Sequence, residues 1–347
     1  MPAAVTPRWV RFADEATACP ACASLQILVI DVMAIRPVAG GRRIAFLTGC
    51  RECGLLFANP LPTAEQLAAY YANDGTWADS RAERMAKIEK AYLRAERKKD
   101  KPQTEKPKKA GEPELLLKAL SPYLTPIARP GARVLDYGCG DGKLLNRFQE
   151  QGWDTCGIEP STDVPFLRHQ RVFAAPQDAS FDLVVLHHVL EHIPAGLDVL
   201  REVAGAVREG GALFISVPNL DTLPVHGDIT YCIDGWKHLA SYSARCLAGL
   251  LARAGFTVAG FVSAPELDIA HTKGKPMRCR VMATRTTSPL SPPDAPLVPA
   301  IRALRKYVRV HEGIWARAYH VLPVRVRAAR MDPVRERQRR KQKRPST

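Results

Sequence analysis

The residues with the most legible chemistry are Asp136, Gly138, Gly140, Gly142 and Glu159. Val134-Leu135 is an apolar pair that runs into an acid, Asp136, and then into Tyr137-Gly138-Cys139-Gly140-Asp141-Gly142. Alternate glycines allow a tight turn with positive φ and let a ligand lie close to the backbone. Lys143 to Glu150 reads as a helix, and its first N–H groups, unpaired within the helix, face the same ligand. A second strand pattern, Trp153 to Ile158, leads to Glu159, whose carboxylate can accept both hydrogen bonds of a ribose diol. This is the logic of a nucleoside-binding crevice at the carboxyl ends of parallel strands. Lys143 stands where a dinucleotide fingerprint needs its third glycine, and the chain has no G-K-[ST] phosphate loop.

Two further groups could do chemistry. His187-His188-Val189-Leu190-Glu191-His192-Ile193-Pro194 follows the β-branched run Phe181 to Leu186, and His238 lies in Trp236-Lys237-His238-Leu239. His188, His192 and His238 are the candidate bases. The first two share a face if their segment is helical. The string His188-x-x-Glu191-His192 also spells an inverted zinc-protease motif, but that motif needs a long helix, and here it follows a buried strand and is cut by Pro194. A divalent metal near Glu191 and His192 is the alternative. The second group is Cys19-x-x-Cys22 and Cys50-x-x-Cys53-Gly54, two knuckles that offer four thiolates to a tetrahedral zinc ion. The 27 residues between the pairs read as a hairpin, Leu25 to Met33 and Arg42 to Leu47 about a Gly40-Gly41 turn. A redox pair is disfavoured because no βαβ unit surrounds either knuckle.

The elements that must position these residues alternate. Leu197 to Arg208 has helical spacing, stopped by Gly210-Gly211; Ala212 to Val217 is a strand; Ser243 caps a helix running to Ala254; Thr257 to Val262 and Met277 to Ala283 are two last strands. Strand–helix alternation implies a parallel α/β sheet.

D-x-G-x-G-x-G after a strand, with an acid ending the next strand, resembles motif I of class I S-adenosylmethionine (SAM) methyltransferases. FDLVVLHHVLEHI, REGGALFISVPN and LLARAGF then look like later motifs of that family, in family order, so the resemblance covers Glu112 to Arg285. It implies a Rossmann-like sheet of seven strands, mostly parallel, with the last antiparallel. It also implies that Asp136, Tyr137, Gly138, Gly140 and Gly142 hold the methionine part of SAM, that Glu159 takes the ribose hydroxyls, and that His187 and His188 sit beside the cofactor. His238 matches a histidine that often lines the acceptor pocket in relatives. The family usually places a helix, a third strand and an adenine-contacting acid or amide between the second and fourth strands. Here only 21 residues separate Glu159 from Phe181, with room for one turn at Val164 to Arg168 and a minimal strand at Arg171 to Phe173. Asp178 is the nearest acid. CRECGLLFANPLPTAEQLAAYY, residues 50–71, resembles the zinc-ribbon extension in front of many bacterial class I methyltransferases, whose relatives act on surface polysaccharides, deoxysugars and secondary metabolites.

Charge is concentrated. Residues 85–109 carry +6 and residues 325–347 carry +8, nearly all of the formal +15, so the α/β body is close to neutral. Arg81 to Lys99 has a weak apolar face, Asp100 to Gly111 reads as linker, and Thr286 to Pro299 contains five prolines. Ile301 to Leu322 carries an apolar stripe flanked by arginines, and Arg335 to Arg344 is too charged to fold alone. The basic segments could hold an anionic membrane surface or RNA, or serve only as a packed helix with a solubilising tail. No apolar run approaches the ~20 residues that span a bilayer. The expected organisation is a zinc-ribbon-like module over 1–60, a helical and basic linker over 61–111, the methyltransferase domain over 112–286, and a proline-rich linker, amphipathic helix and basic tail over 287–347. Without a signal-peptide pattern, the nine cysteines point to a reducing, cytoplasmic setting rather than to disulfides, with a peripheral inner-membrane position as the variant. The expected activity is SAM-dependent O- or C-methylation of a small molecule or sugar. RNA methylation and a non-catalytic scaffold are the alternatives.

Overall fold

The structure is a computed structural model and describes residues 18–35, 43–63, 110–159, 170–172, 178–222, 238–268 and 277–287, with positions 67, 232 and 233. The segments expected at 81–99 and 164–168, and the tail from 288, lie outside the described residues, as do the two basic segments.

Seven strands form the main sheet: β4 (Arg133–Tyr137), β5 (Asp154–Ile158), β6 (Gln170–Val172), β7 (Phe181–His187), β8 (Val207–Pro218), β10 (Phe256–Phe261) and β11 (Arg278–Arg285). Their order is β10-β11-β8-β7-β4-β5-β6, and β11 alone runs against its neighbours. The third strand of the first half is reduced to three residues, as the short spacing after Glu159 requires.

The sheet is covered on both faces, so its strands read as continuous apolar runs rather than as alternating ones. Along β7, Leu183 and Val185 face one core with Val134 of β4, while Phe181, Val184 and Leu186 face the other with Leu135. On the first face pack α1 (Glu112–Leu124), through Leu116, Leu117, Leu120 and Leu124, and α2 (Lys143–Glu150), through Leu144, Leu145 and Phe148. On the second pack α3 (Gly196–Ala206) and α4 (Ala244–Arg253). Ser243 caps α4 as its sequence suggests, with its hydroxyl accepting from the Cys246 N–H at 3.1 Å. A short helix, α5 (Pro265–Asp268), follows β10.

One boundary differs from expectation. The helix expected through Arg208 stops at Ala206, and Gly210 and Gly211 lie inside β8 rather than capping it. Val207 already pairs with Phe181 of β7, so sheet pairing overrides the glycine signal.

The amino-terminal segment forms a second sheet, β1 (Ile27–Ile35), β2 (Arg43–Cys50) and β3 (Leu56–Asn59), in antiparallel order. Its fourth strand is a two-residue element from the α/β body, β9 (Ala240–Ser241). Cys19, Ala21, Cys50, Leu55 and Phe57 join the same apolar cluster as α3 and α4. The module is therefore built onto the α/β body.

Candidate functional site

The strand order reverses between β4 and β7, which is where a crevice opens at the carboxyl ends of parallel strands. The glycine loop leaves β4 there. Gly138 has φ +82. A Cβ on it would stand 2.5 Å from Val189 Cγ2, so the loop rests directly on the histidine segment. Gly140, at φ +55, opens onto space with no atom within 4 Å of where its Cβ would be. Its N–H donates to Glu159 Oε2 at 2.9 Å, and the Gly138 N–H donates to the Ile158 carbonyl at 2.7 Å, which ties the loop to the end of β5. Below the loop, Asp136 is buried. Burial, followed by the charges of Glu159 and Asp141, pushes its carboxyl up to about 7. Burial likewise raises the half-buried Tyr137 phenol. An open glycine cradle over a buried acid and two neighbouring carboxylates suits a ligand with a cationic end and a ribose.

The histidine segment begins where β7 ends. His187 packs edge-on against His188, with ring centroids 4.7 Å apart, and its Nε2 is 3.4 Å from Glu112 Oε1 at the start of α1. Burial holds the His187 imidazole down to about 4, hence neutral, while the His187 hydrogen bond, with the Arg278 charge beside it, holds the Glu112 carboxyl down to about 2. His188 adopts a left-handed backbone, φ +58, and donates its N–H to the Ser216 carbonyl of β8. That kink, followed by a 3-10 turn over Leu190–His192, replaces the helical spacing expected for His188 and His192. The two histidines still converge, because both face Glu191. His188 Nδ1 lies 3.1 Å and His192 Nε2 4.0 Å from Glu191 Oε1. His238 closes the group, its ring centroid 5.0 Å from that of His192. One ligating atom each from Glu191, His192 and His238 lies within 4.8 Å of the others.

Glu191 is the hub, and its side chain has no exposed surface. Burial pushes its carboxyl up, but the His188 hydrogen bond and the charges of His188, His192 and His238 outweigh it, and the net shift is downward. Glu191 Oε2 and His188 Nε2 have no hydrogen-bond partner among the described residues. Sequence reading treated Glu191 only as part of a rejected protease string or a metal alternative. The signal was the three-residue step from His188, which brings the two side chains together over a turn.

Asp178 is not part of this site. It precedes β7, and Asp182, four residues on, accepts from the Arg133 N–H at the start of β4. Asp178 therefore belongs to the amino edge of the sheet, opposite the crevice, and the expectation of an adenine contact there is corrected.

The four cysteines converge as their spacing requires, with all four Sγ atoms within 4.8 Å of one another. Cys19 and Cys53 are 3.5 Å apart, as are Cys22 and Cys50. Zinc–sulfur bonds of about 2.3 Å in a tetrahedron put sulfurs about 3.8 Å apart, so the set fits. The residues after the two knuckles, Ala23 (φ +58) and Gly54 (φ +74), make the same left-handed turn. Hydrogen bonds from Cys19 and Cys53 pull the Cys50 thiol down, while the bonds to Cys50 and Cys53, with burial, push Cys19 up.

Residues 109–259 match the family described as a methyltransferase domain, and they carry most of the seven-stranded sheet. Among curated proteins the chain is similar to a ubiquinone biosynthesis O-methyltransferase of Xanthomonas campestris, 37% identical over 110 residues, which is 27% of this chain and 46% of that protein. Its counterpart from Albidiferax ferrireducens is 29% identical over 178 residues, 44% of this chain and 65% of that protein. The chain thus spans about half the length of the first of these relatives. Among solved structures, a Burkholderia thailandensis 1,6-didemethyltoxoflavin-N1-methyltransferase aligns over 67% of this chain and 96% of that one, at 20% identity and a TM-score of 0.45. A SAM-dependent methyltransferase from Mesorhizobium loti aligns over 49% of this chain at a TM-score of 0.40, with 20% identity and all of that chain covered.

Proposed function

We propose that the chain transfers a methyl group from SAM to a hydroxyl or acidic carbon of a small molecule or sugar-linked acceptor, with His188 as general base. The observation that carries this is the pairing of partly buried His188 with fully buried Glu191 beside the glycine loop. With Nδ1–H donated to Glu191, the His188 lone pair is on Nε2, the atom left without a partner among the described residues. A carboxylate that fixes the tautomer of an imidazole makes the other nitrogen the proton acceptor. His192 and His238 complete the group, with ring centroids 5.0 Å apart.

SAM supplies an electrophilic methyl group on a sulfonium. In this reading Asp136, Tyr137, Gly138, Gly140 and Gly142 hold its amino-acid end, Glu159 its ribose, and His187, kept neutral, the wall beside it. The residues would position an acceptor atom against the methyl; as the acceptor–carbon bond forms, the carbon–sulfur bond breaks, S-adenosylhomocysteine leaves as a neutral thioether, and His188 takes the acceptor's proton. The O-methyltransferase names of the relatives support a hydroxyl acceptor. Zinc in the Cys19, Cys22, Cys50 and Cys53 site is structural, since four thiolates leave no open position for a substrate.

The test is methyl-labelled SAM with the zinc-containing full chain and fractionated host extract, beside Gly138→Arg. Label is expected in small metabolites or lipid-linked glycan and absent with the variant. Label in RNA instead would overturn the acceptor class and give the basic segments a role. Neither label nor SAM binding would leave a scaffold.

A further inference from the structure

We infer that the four-cysteine module is a working part of the acceptor side of the site, and that its metal fixes where His238 and Glu191 stand. The inference deepens the proposed function but rests on a separate set of contacts.

The path is short and made of backbone. The second knuckle is closed by the Gly54 N–H donating to the Cys50 carbonyl and the Cys50 N–H donating to the Leu55 carbonyl. β3 starts at the next residue, Leu56, and pairs with β9, Leu56 opposite Ser241 and Phe57 opposite Ala240. The Ala58 N–H then donates to the Leu239 carbonyl at 3.0 Å, and the Leu239 N–H donates to the Glu191 carbonyl at 2.8 Å. Leu239 thus holds the cysteine module on one side and the base cluster on the other, with His238 the residue before it. Two side chains run parallel to this path. Buried Tyr242 donates from its hydroxyl to the Leu190 carbonyl at 3.3 Å, and Cys246 at the start of α4 lies in the apolar cluster against which Cys53 packs.

Packing gives the coupling a direction. Cys19, Cys50, Leu55 and Phe57 share an apolar cluster with Leu190, Ala240 and Tyr242. Cys139 of the glycine loop, with Leu144 and Leu145 of the helix it feeds, belongs to the cluster across the sheet. Loss of the metal would release the second knuckle and β3, and so the acceptor side first, while Cys139, Leu144 and Leu145 keep the loop anchored across the sheet and leave Val189 and Tyr137 as its contacts with the released side.

The experiment uses the full chain with zinc bound and its histidines carbon-labelled, then chelated, then reloaded. SAM affinity, read by calorimetry, is expected to survive chelation. The His238 ring resonances, assigned with His238→Gln, are expected to shift or broaden on chelation and to return with zinc. Methyl transfer to the extract fraction that accepts label is expected to fall about 100-fold in kcat, the loss that follows a displacement of about 1 Å. Ala58→Pro keeps the four cysteines and removes the N–H that holds Leu239, so it is expected to show the same fall with one zinc still bound. Unchanged His238 resonances overturn the inference, as does SAM affinity lost along with them, which would make the module a general brace. Full transfer by Ala58→Pro overturns it too, and if that variant does not fold, the chelation series decides alone. No transfer in any state is a failure of the proposed function, and the resonances still decide the coupling.

Discussion

β7 has a buried carboxylate near each end, and the two are treated oppositely. Asp182, at the amino end, is saturated: Arg129 Nε at 3.0 Å and Arg208 Nε at 2.6 Å share Oδ1, while the Arg133 N–H at 2.8 Å and a second Arg129 nitrogen at 3.3 Å share Oδ2. Burial pushes its carboxyl up, but these four donors outweigh it and hold it ionised. Glu191, just beyond the carboxyl end, is also held ionised, by imidazoles that can themselves gain or lose a proton, and one of its oxygens has no partner among the described residues. The donors at Asp182 are guanidinium and backbone groups, which do not titrate in water. A saturated carboxylate braces the edge of the sheet, whereas one held by titratable groups can take part in proton transfer.

The comparison breaks most visibly in kinetics. His188→Gln is expected to lower kcat by about 10²–10⁴ with SAM affinity unchanged, and equal kcat would remove the base assignment. Asp182→Ala is expected to do the reverse. It leaves the Arg133 N–H and two partly exposed guanidinium groups without their shared acceptor and costs about 1–3 kcal/mol of stability by denaturant titration, with kcat per folded molecule unchanged. Glu191→Gln keeps the shape and one hydrogen bond, so its stability loss should be about 1 kcal/mol while its kcat falls with that of His188→Gln.

The acid response sharpens the contrast. Asp136, raised from 3.8 to about 7, binds a proton in the folded state first, so its burial weakens the fold as pH rises through that window. Asp136→Asn is expected to raise the ligand-free Tm at pH 7 and above and to weaken SAM binding. His187, lowered from 6.5 to about 4, is protonated first in the unfolded chain, so stability is lost as pH falls from 6.5 to 4. His187→Gln should flatten that slope in a Tm series, the smallest of these stability effects.

Much of this was legible in the chain. The individual strands, the glycine loop, the acid after β5, the Ser243 cap and the cysteine knuckles are local patterns, each contained in about ten residues. What escaped was non-local. The pairing of β3 with β9 rests on two residues of the body with no strand-like length, and only the fold makes them an edge. The role of Asp182 depends on Arg129, Arg133 and Arg208, which arrive from separate segments. Asp178 was misplaced because proximity in sequence to β7 says nothing about which edge of the sheet a loop occupies. The convergence of His188 and His192 was anticipated for the wrong reason, through a helix that the left-handed residue at 188 precludes.

That left-handed residue has a last consequence. A side chain other than glycine, asparagine or aspartate at φ +58 stores roughly 1–3 kcal/mol of backbone strain, and only surrounding structure keeps it there. His188→Gly relieves that strain but leaves the buried Glu191 carboxylate without its hydrogen bond and gives the unfolded chain more freedom, so the variant should turn over less without melting later. At position 188 a strained backbone and the partner of a buried carboxylate belong to one residue, so neither can be relaxed alone.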